Sequence, residues 1–279
     1  MKEVLVRLIP DLLKPIFKRI CHLPMDVHEG LKDRSTIIPP KRVTRGSGSC
    51  FKQIGHEFKD YFVDLANLQP NHRVLDIGCG IGRMAIPLTG YLSSEGGYWG
   101  FDVRRSDINW CQKHISPLFP NFHFLHSNVY NKHYNRRGKL RGHNFEFPFD
   151  DSFFDFVFLT SVFTHKLPLD VTNYISEISR VLKIGSKALI TFFILNEESR
   201  NLIQAGSSTR DFKYKVQDCL IIKKNDPEYA VAYDEEYVIK LLGEYGLKVI
   251  QPIHYGSWCN RDNFVSYQDM LIVTKSHSN

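Results

Sequence analysis

The sequence predicts an α/β protein in which helices cover both faces of a mostly parallel sheet, preceded by an N-terminal helical extension. Three observations predict this class. From Arg73 onward, short runs rich in Val, Ile, Leu and Phe alternate with stretches of helical periodicity, the pattern of strands that return to one parallel sheet through helices. The first of those runs passes into Asp76-Ile77-Gly78-Cys79-Gly80-Ile81-Gly82, so a strand feeds a tight glycine turn ahead of a helix. Hydrophobic residues make up 43% and aromatic residues 13% of the 279, which supplies a large core and argues against global disorder.

Taken in order, residues 2–20 place Val4, Leu5, Leu8, Ile9, Leu12, Leu13, Ile16 and Ile20 at helical spacing, with Pro10 and Pro15 bending the helix. One reading lays this helix on a membrane surface. The other, which soluble helices with the same stripe favour, packs it on the domain or on a partner. Residues 33–49, with Pro39-Pro40 and Gly46-Ser47-Gly48, read as a linker or flap. Phe51 to Leu68 is helical through Phe51, Ile54, Phe58, Phe62 and Leu65. Strands are expected at 73–77, 97–102, 122–127, 154–160, 187–194, 247–254 and 266–274, and helices near 82–92, 104–116, 170–182 and 234–245. Two segments interrupt the rhythm, a basic stretch at 131–146 and a long excursion at 196–232. Long connections in a compact domain are commonly lids or binding loops, so both are read as substrate-side insertions. The chain then divides into an extension, residues 1–50, and one domain, residues 51–279.

The net charge of +6 selects no partner class. Six scattered cysteines show no metal-like spacing, and are expected as reduced thiols in a cytoplasmic protein. No metal site is expected. No stretch approaches the roughly 20 apolar residues of a membrane span, and Arg7, Asp11 and Lys14 interrupt what a signal peptide keeps apolar. Peripheral membrane association through residues 2–20 stays open, and the oligomeric state is not readable.

The glycine turn carries the chemistry. Glycines admit close backbone approach, and a helix N-terminus offers free N–H groups to a ligand. Gly80-Ile-Gly82-Arg-Met-Ala85 also satisfies a dinucleotide fingerprint. Twenty residues beyond Gly82, the next strand ends in Asp102, an acid suited to the two hydroxyls of a ribose in this crevice. That much fits a nicotinamide cofactor as well.

Further landmarks separate the cofactors. Phe149-Asp150-Asp151-Ser152-Phe153-Phe154-Asp155-Phe156-Val157 leads into the fourth strand, and Val181-Leu182-Lys183-Ile184-Gly185-Ser186 precedes the fifth. With Asp76–Gly82 and Asp102, these four in order resemble the class I S-adenosylmethionine (SAM)-dependent methyltransferases, of the type 11-like small-molecule kind, over roughly residues 70–195. Ile184 and Ser186 stand where proline and glycine are usual. The resemblance implies a Rossmann-like seven-stranded sheet of order 3-2-1-4-5-7-6 with strand seven antiparallel, and SAM as cofactor. It also implies cofactor contacts from Asp76, Gly78, Gly80, Gly82 and Asp102, with Asn128 near the adenine, where the family often carries an acid, and Thr160 and Phe163 nearby. The 33–49 segment is similar to a flap over the cofactor.

A sulfonium-activated methyl needs in-line alignment of an acceptor, exclusion of water, and a base if the acceptor is a hydroxyl. Thr160-Ser161-Val162-Phe163-Thr164-His165-Lys166 follows the fourth strand. His165 is the first candidate base, with a loop-orienting role as the equal alternative. His254-Tyr255-Gly256-Ser257-Trp258 and Arg261 form a second candidate cluster, with His254 catalytic and Tyr255, Trp258 and Arg261 binding substrate. The plainer reading is a structural turn around a buried Trp. Tyr134 in the basic insertion is a further substrate contact, and Asp269, an acid among apolar neighbours, calls for a partner group. The expected function is methyl transfer to a small-molecule acceptor, at an oxygen of a natural product, sugar or lipid-linked glycan. A non-catalytic SAM-binding protein is the alternative. A nucleic-acid methyltransferase is less favoured, because no N-P-P-[YF]-like tetrapeptide, Pro-Cys pair or concentrated basic face is present.

Overall fold

The computed structural model describes residues 37–39, 44 and 50–276. The helix expected over 2–20 and most of the 33–49 flap lie outside the described residues. Helix α1 (Phe51–Asp64) buries Phe51, Phe58 and Phe62. The alternation that follows is β1 (Arg73–Ile77), α2 (Ala85–Leu88), β2 (Gly97–Asp102), α3 (Arg105–His114), β3 (Phe122–His126), β4 (Phe154–Leu159), α4 (Pro168–Val181) and β5 (Leu182–Phe192). Then come β6 (Ile194–Leu195), α5 (Glu197–Gln204), β7 (Tyr214–Val216), β8 (Cys219–Ile221), β9 (Val231–Asp234), α6 (Glu235–Glu244), β10 (Leu247–His254) and β11 (Asp269–Lys275).

The main sheet has the order β10-β11-β5-β4-β1-β2-β3. β1 is parallel to β2 and β4, while β11 runs antiparallel to β5 and β10. This is the seven-stranded order implied by the resemblance. Alternate residues of each strand feed opposite faces. Val74, Phe156 and Phe158 join α1–α3 in one core, and Leu75, Val157 and Leu159 join α4 and α6 in the other. Phe62 stacks on both Phe156 and Phe158, at 5.4 and 4.3 Å between ring centroids, which makes α1 part of the domain.

Three boundaries differ from expectation for local reasons. The helix expected over 82–92 is only Ala85–Leu88. Gly82 has φ +77°, which holds the chain out of helical geometry until 84, while Pro87 carries no N–H and Gly90 follows. β5 begins at Leu182, directly after α4, with the expected turn retained as an irregularity: Phe154 pairs with Leu182 but Phe156 with Lys187, and Gly185 at φ +77° absorbs the extra residues. The 196–232 excursion is ordered structure, a second sheet of order β6-β9-β8-β7 with α5 against it. Its own core joins Phe193, Leu195 and Phe212 to Trp258. Asn196 and Ser199 close a reciprocal capping box on α5.

Among the described residues, no helix is long and apolar enough to cross a membrane, and no group of three His, Cys, Asp or Glu side chains is placed to hold a metal ion.

Candidate active site

The chain leaves β1 toward β2 and β3 on one side and returns through β4 to β5 on the other, which opens a crevice at the carboxyl ends of β1 and β4. A cavity of about 300 Å³ lies there. Its walls come from the glycine turn, the end of β2, residues from Ser127 to Tyr134, and residues from Thr160 to Lys166. Thr44 and Phe51 close one side.

The turn is built for close approach. The Gly78 amide donates to the Phe101 carbonyl at 2.9 Å, drawing the turn onto β2. Gly78 has φ +83°, and a Cβ there would sit 2.6 Å from Val162 Cγ2. Gly78→Ala is therefore expected to cost about 1–3 kcal/mol, from left-handed backbone and overpacking together. A denaturant midpoint unchanged from wild type would show that the turn is not constrained in this way. At Gly80 a Cβ would meet nothing within 4 Å, so the glycine leaves that volume to the cavity.

Asp102 and Asp76 are the acids of the site. Asp102 Oδ2 accepts the Gly80 amide at 2.9 Å and Oδ1 accepts the Arg104 amide at 2.8 Å. Each oxygen keeps a further lone pair for a ligand hydroxyl. Burial raises the Asp102 pKa, against the two amides and the Arg104 charge. Asp76 accepts from the Tyr98 hydroxyl at 2.6 Å. Burial pushes its pKa up to about 7, opposed by that hydrogen bond and by Arg83.

The fit to SAM rests on these groups and on polar atoms left over inside the protein. Ser127 Oγ is buried without a hydrogen-bond partner and Ser127 lines the cavity, which suits the polar edge of an adenine. The Arg83 guanidinium also lines it and pairs with no described residue, which suits a carboxylate. With Asp102 at the cavity wall and able to accept from ribose hydroxyls, the polar groups would suit a nucleoside carrying an amino-acid tail. Asp102→Ala is expected to weaken SAM binding by about 1–3 kcal/mol, read by calorimetry, through loss of charge-assisted hydrogen bonds. An unchanged affinity would take Asp102 out of the site.

At the end of β4 the chain turns sharply through Ser161, a non-glycine residue at φ +58°. Its amide donates to Thr191 Oγ1 at 2.9 Å and its hydroxyl to Gln268 Oε1 at 3.0 Å, which hold this strained position. A single helical turn, Phe163–His165, follows. His165 lines the cavity, with Nδ1 3.0 Å from the Glu228 carbonyl of the second insertion. A carbonyl only accepts, so Nδ1 carries the proton and Nε2 is the unprotonated nitrogen of the neutral ring. Burial lowers the His165 pKa, outweighing the carbonyl contacts that raise it. Beside it Lys166 also lines the cavity, 3.3 Å from Asp170 and 4.3 Å above the Tyr174 ring. Burial alone would lower its pKa, but Tyr174 and Asp170 reverse the direction.

The structure brings Asp76, Gly78, Gly80, Asp102, Thr160, His165 and Tyr134 to one cavity. Tyr134 projects from the basic insertion with the Arg104 guanidinium 4.5 Å over its ring. Other expected site residues stand elsewhere. A Cβ at Gly82 would meet Ile115 at 2.9 Å and Cys111 at 3.2 Å, so this glycine serves the packing of α3 on the turn. Asn128 uses its carbonyl to pair with the Lys139 and Leu140 amides, and its neighbour Ser127 faces the cavity instead. Phe163 is fully buried against Phe192, at 5.1 Å between centroids.

The second expected cluster is a structural one. Trp258 is fully buried, and its indole N–H donates to Asp269 Oδ2 at 2.6 Å. Arg261 donates to Asp269 at 2.9 Å, to Glu198 at 2.7 Å and to Asn196 at 3.1 Å. The Tyr255 hydroxyl donates to Glu235 at 2.8 Å, and Arg261 covers its ring at 4.6 Å. His254 lies on the edge strand β10 opposite Met270. None of these four lines the cavity, and the polar groups of Tyr255, Trp258 and Arg261 are satisfied within the protein. Ser127, Arg83 and Lys166 are among the lining residues to which motif reading gave no role. Arg83, directly after the last glycine of the turn, was the one with a sequence signal.

The cavity has the layout that the resemblance implied for a SAM-dependent methyltransferase. Residues 75–190, less than half of the chain, match the family described as "Methyltransferase domain", and this match marks the chain as an enzyme that uses SAM. The fold is also similar to solved structures at low identity. One is a SAM-dependent methyltransferase from Aquifex aeolicus, 18% identical with TM-score 0.52, covering 86% of this chain and 100% of that one. Another is the PH0226 protein from Pyrococcus horikoshii OT3, 14% identical with TM-score 0.54, covering 81% and 91%. A third is magnesium protoporphyrin IX methyltransferase from Synechocystis PCC 6803 with bound SAH, 15% identical with TM-score 0.50, covering 93% and 100%.

Proposed function

We propose that this methyltransferase acts on an oxygen of a small-molecule acceptor, a natural product, sugar or lipid-linked glycan, with His165 as the base. The observation that carries this reading is the committed ring of His165. Its Nδ1 is held by the Glu228 carbonyl at the cavity wall, with the Tyr229 backbone also in contact, and in the neutral ring the unprotonated nitrogen is the one that takes a proton. SAM supplies an activated methyl, so the side chains have three tasks. Asp102 and the glycine turn seat the nucleoside, the residues from Thr160 to Lys166 and Tyr134 wall off water, and His165 receives the hydroxyl proton as the oxygen attacks. Orientation contributes most of the rate in such a transfer, and the base adds about 10²–10⁴-fold.

The test is transfer of a deuterated methyl group from labelled SAM into a cell extract, followed by separation of aqueous and organic phases and mass spectrometry. A labelled ether or ester of small mass supports the reading, and its phase assigns the acceptor class. Label on nitrogen or carbon, or on nucleic acid, would overturn it.

A further inference from the structure

We propose that Arg210 binds an anionic group of the acceptor, so that the substrate is a small molecule carrying a carboxylate or phosphate as well as the methylated oxygen. The proposal rests on the reading above, in which the acceptor meets the His165 end of the cavity. Arg210 lies in the second insertion, between α5 and β7. Its Nε donates to the Tyr267 hydroxyl at 2.8 Å, and its guanidinium sits 5.8 Å from the centroids of both Phe193 and Tyr267. The side chain is thus fixed and half-buried. No described carboxylate pairs with it, and its two terminal nitrogens have no described hydrogen-bond partner. The adjacent Asp211 is taken by Lys213 at 2.6 Å.

Arg210 does not itself line the cavity; its perch adjoins the wall. Tyr267 precedes Gln268, whose Oε1 accepts from Ser161 and Thr191 at 3.0 and 2.8 Å, and Ser161 lines the cavity. The Arg210 charge also reaches His165 and helps lower its pKa, as does His133. Nearby, Lys132 and His133 both meet Asp226, at 3.2 and 3.1 Å. An arginine held on aromatic rings with its terminal N–H groups unused is preorganised for bidentate contact with a planar or tetrahedral anion.

Two measurements on the SAH-loaded protein test this without turnover, so they stand whether or not label transfer succeeds. The first is the NMR titration of His165 in wild type and Arg210→Gln. Loss of a nearby positive charge should raise the midpoint, and equal midpoints would overturn the placement. The second is calorimetric titration with benzoate and with phenyl phosphate. At least one should bind wild type and weaken about tenfold or more in Arg210→Gln, with SAH affinity retained and with Arg137→Gln, on the exposed face, behaving as wild type. Preference for benzoate assigns a carboxylate, and preference for phenyl phosphate assigns a phosphate. No binding by wild type, or equal binding by both proteins, would overturn the proposal.

Discussion

Replacing His165 with alanine is expected to slow methyl transfer by about 10²–10⁴-fold while leaving SAM affinity near that of wild type. On the proposal above the ring acts through one nitrogen, while the other is engaged by Glu228 at 3.0 Å. His165→Asn is the sharper variant, because its amide can still donate toward that carbonyl and supplies no base. The pH profile carries the sign. Burial lowers the His165 pKa below its ordinary value, so the neutral, proton-accepting ring predominates from below about pH 6.5 upward. Turnover should rise on the acid side, level off before neutrality, and lose that limb in His165→Asn. Wild-type rates from either variant across the pH range would leave His165 with the orienting role alone.

The largest effect on stability is expected at Asp269. Its carboxylate is fully buried and accepts from the amides of Ile194 and Gly256, the Trp258 indole and Arg261, at 2.6 to 2.9 Å. Burial pushes its pKa up to about 6, against these four donors. Asp269→Ala strands the Arg261 charge, whose side chain is 1% exposed, together with three orphaned N–H groups. A loss of about 3–5 kcal/mol follows from breaking a buried pair on one side. Asp269→Asn, which keeps the shape and an acceptor, should fall between alanine and wild type. Denaturant unfolding reads both, and a cost under about 1 kcal/mol for the alanine variant would mean that Arg261 finds other partners or solvent.

The sequence was most legible where the backbone pattern is strong and local. β1, β2 and β10 begin and end where alternation and turn residues placed them; for β1 and β2, buried parallel strands running into Gly78 and ending at Asp102 leave little room for slippage. Asp269 was recognisable as an acid needing a partner. That Trp258 and Arg261 were the partners was not, since the turn that joins them depends on how β10 and β11 pair. Ser127, the cavity-lining neighbour of Asn128, carried no sequence signal, because both follow the end of β3, where no strand alternation says which side chain faces inward. The second sheet escaped notice because β7, β8 and β9 have only three or four residues each, too few for a period of two to emerge. Glu228 and Arg210 lie in that segment and belong to no motif. Their relation to His165 exists only once the insertion has folded back over the fourth strand.

That fold-back separates two labours within one chain. The matched family region ends at residue 190, whereas the carbonyl that sets the His165 tautomer comes from residue 228. On the proposal above, the residues that seat the nucleoside lie within the matched region, whereas the carbonyl that holds the His165 ring comes from the insertion that follows it. Opening of the small sheet, read by amide exchange, should therefore release the imidazole while the glycine turn stays closed, giving a state that on that proposal still holds SAM but has lost the tautomer that serves as base.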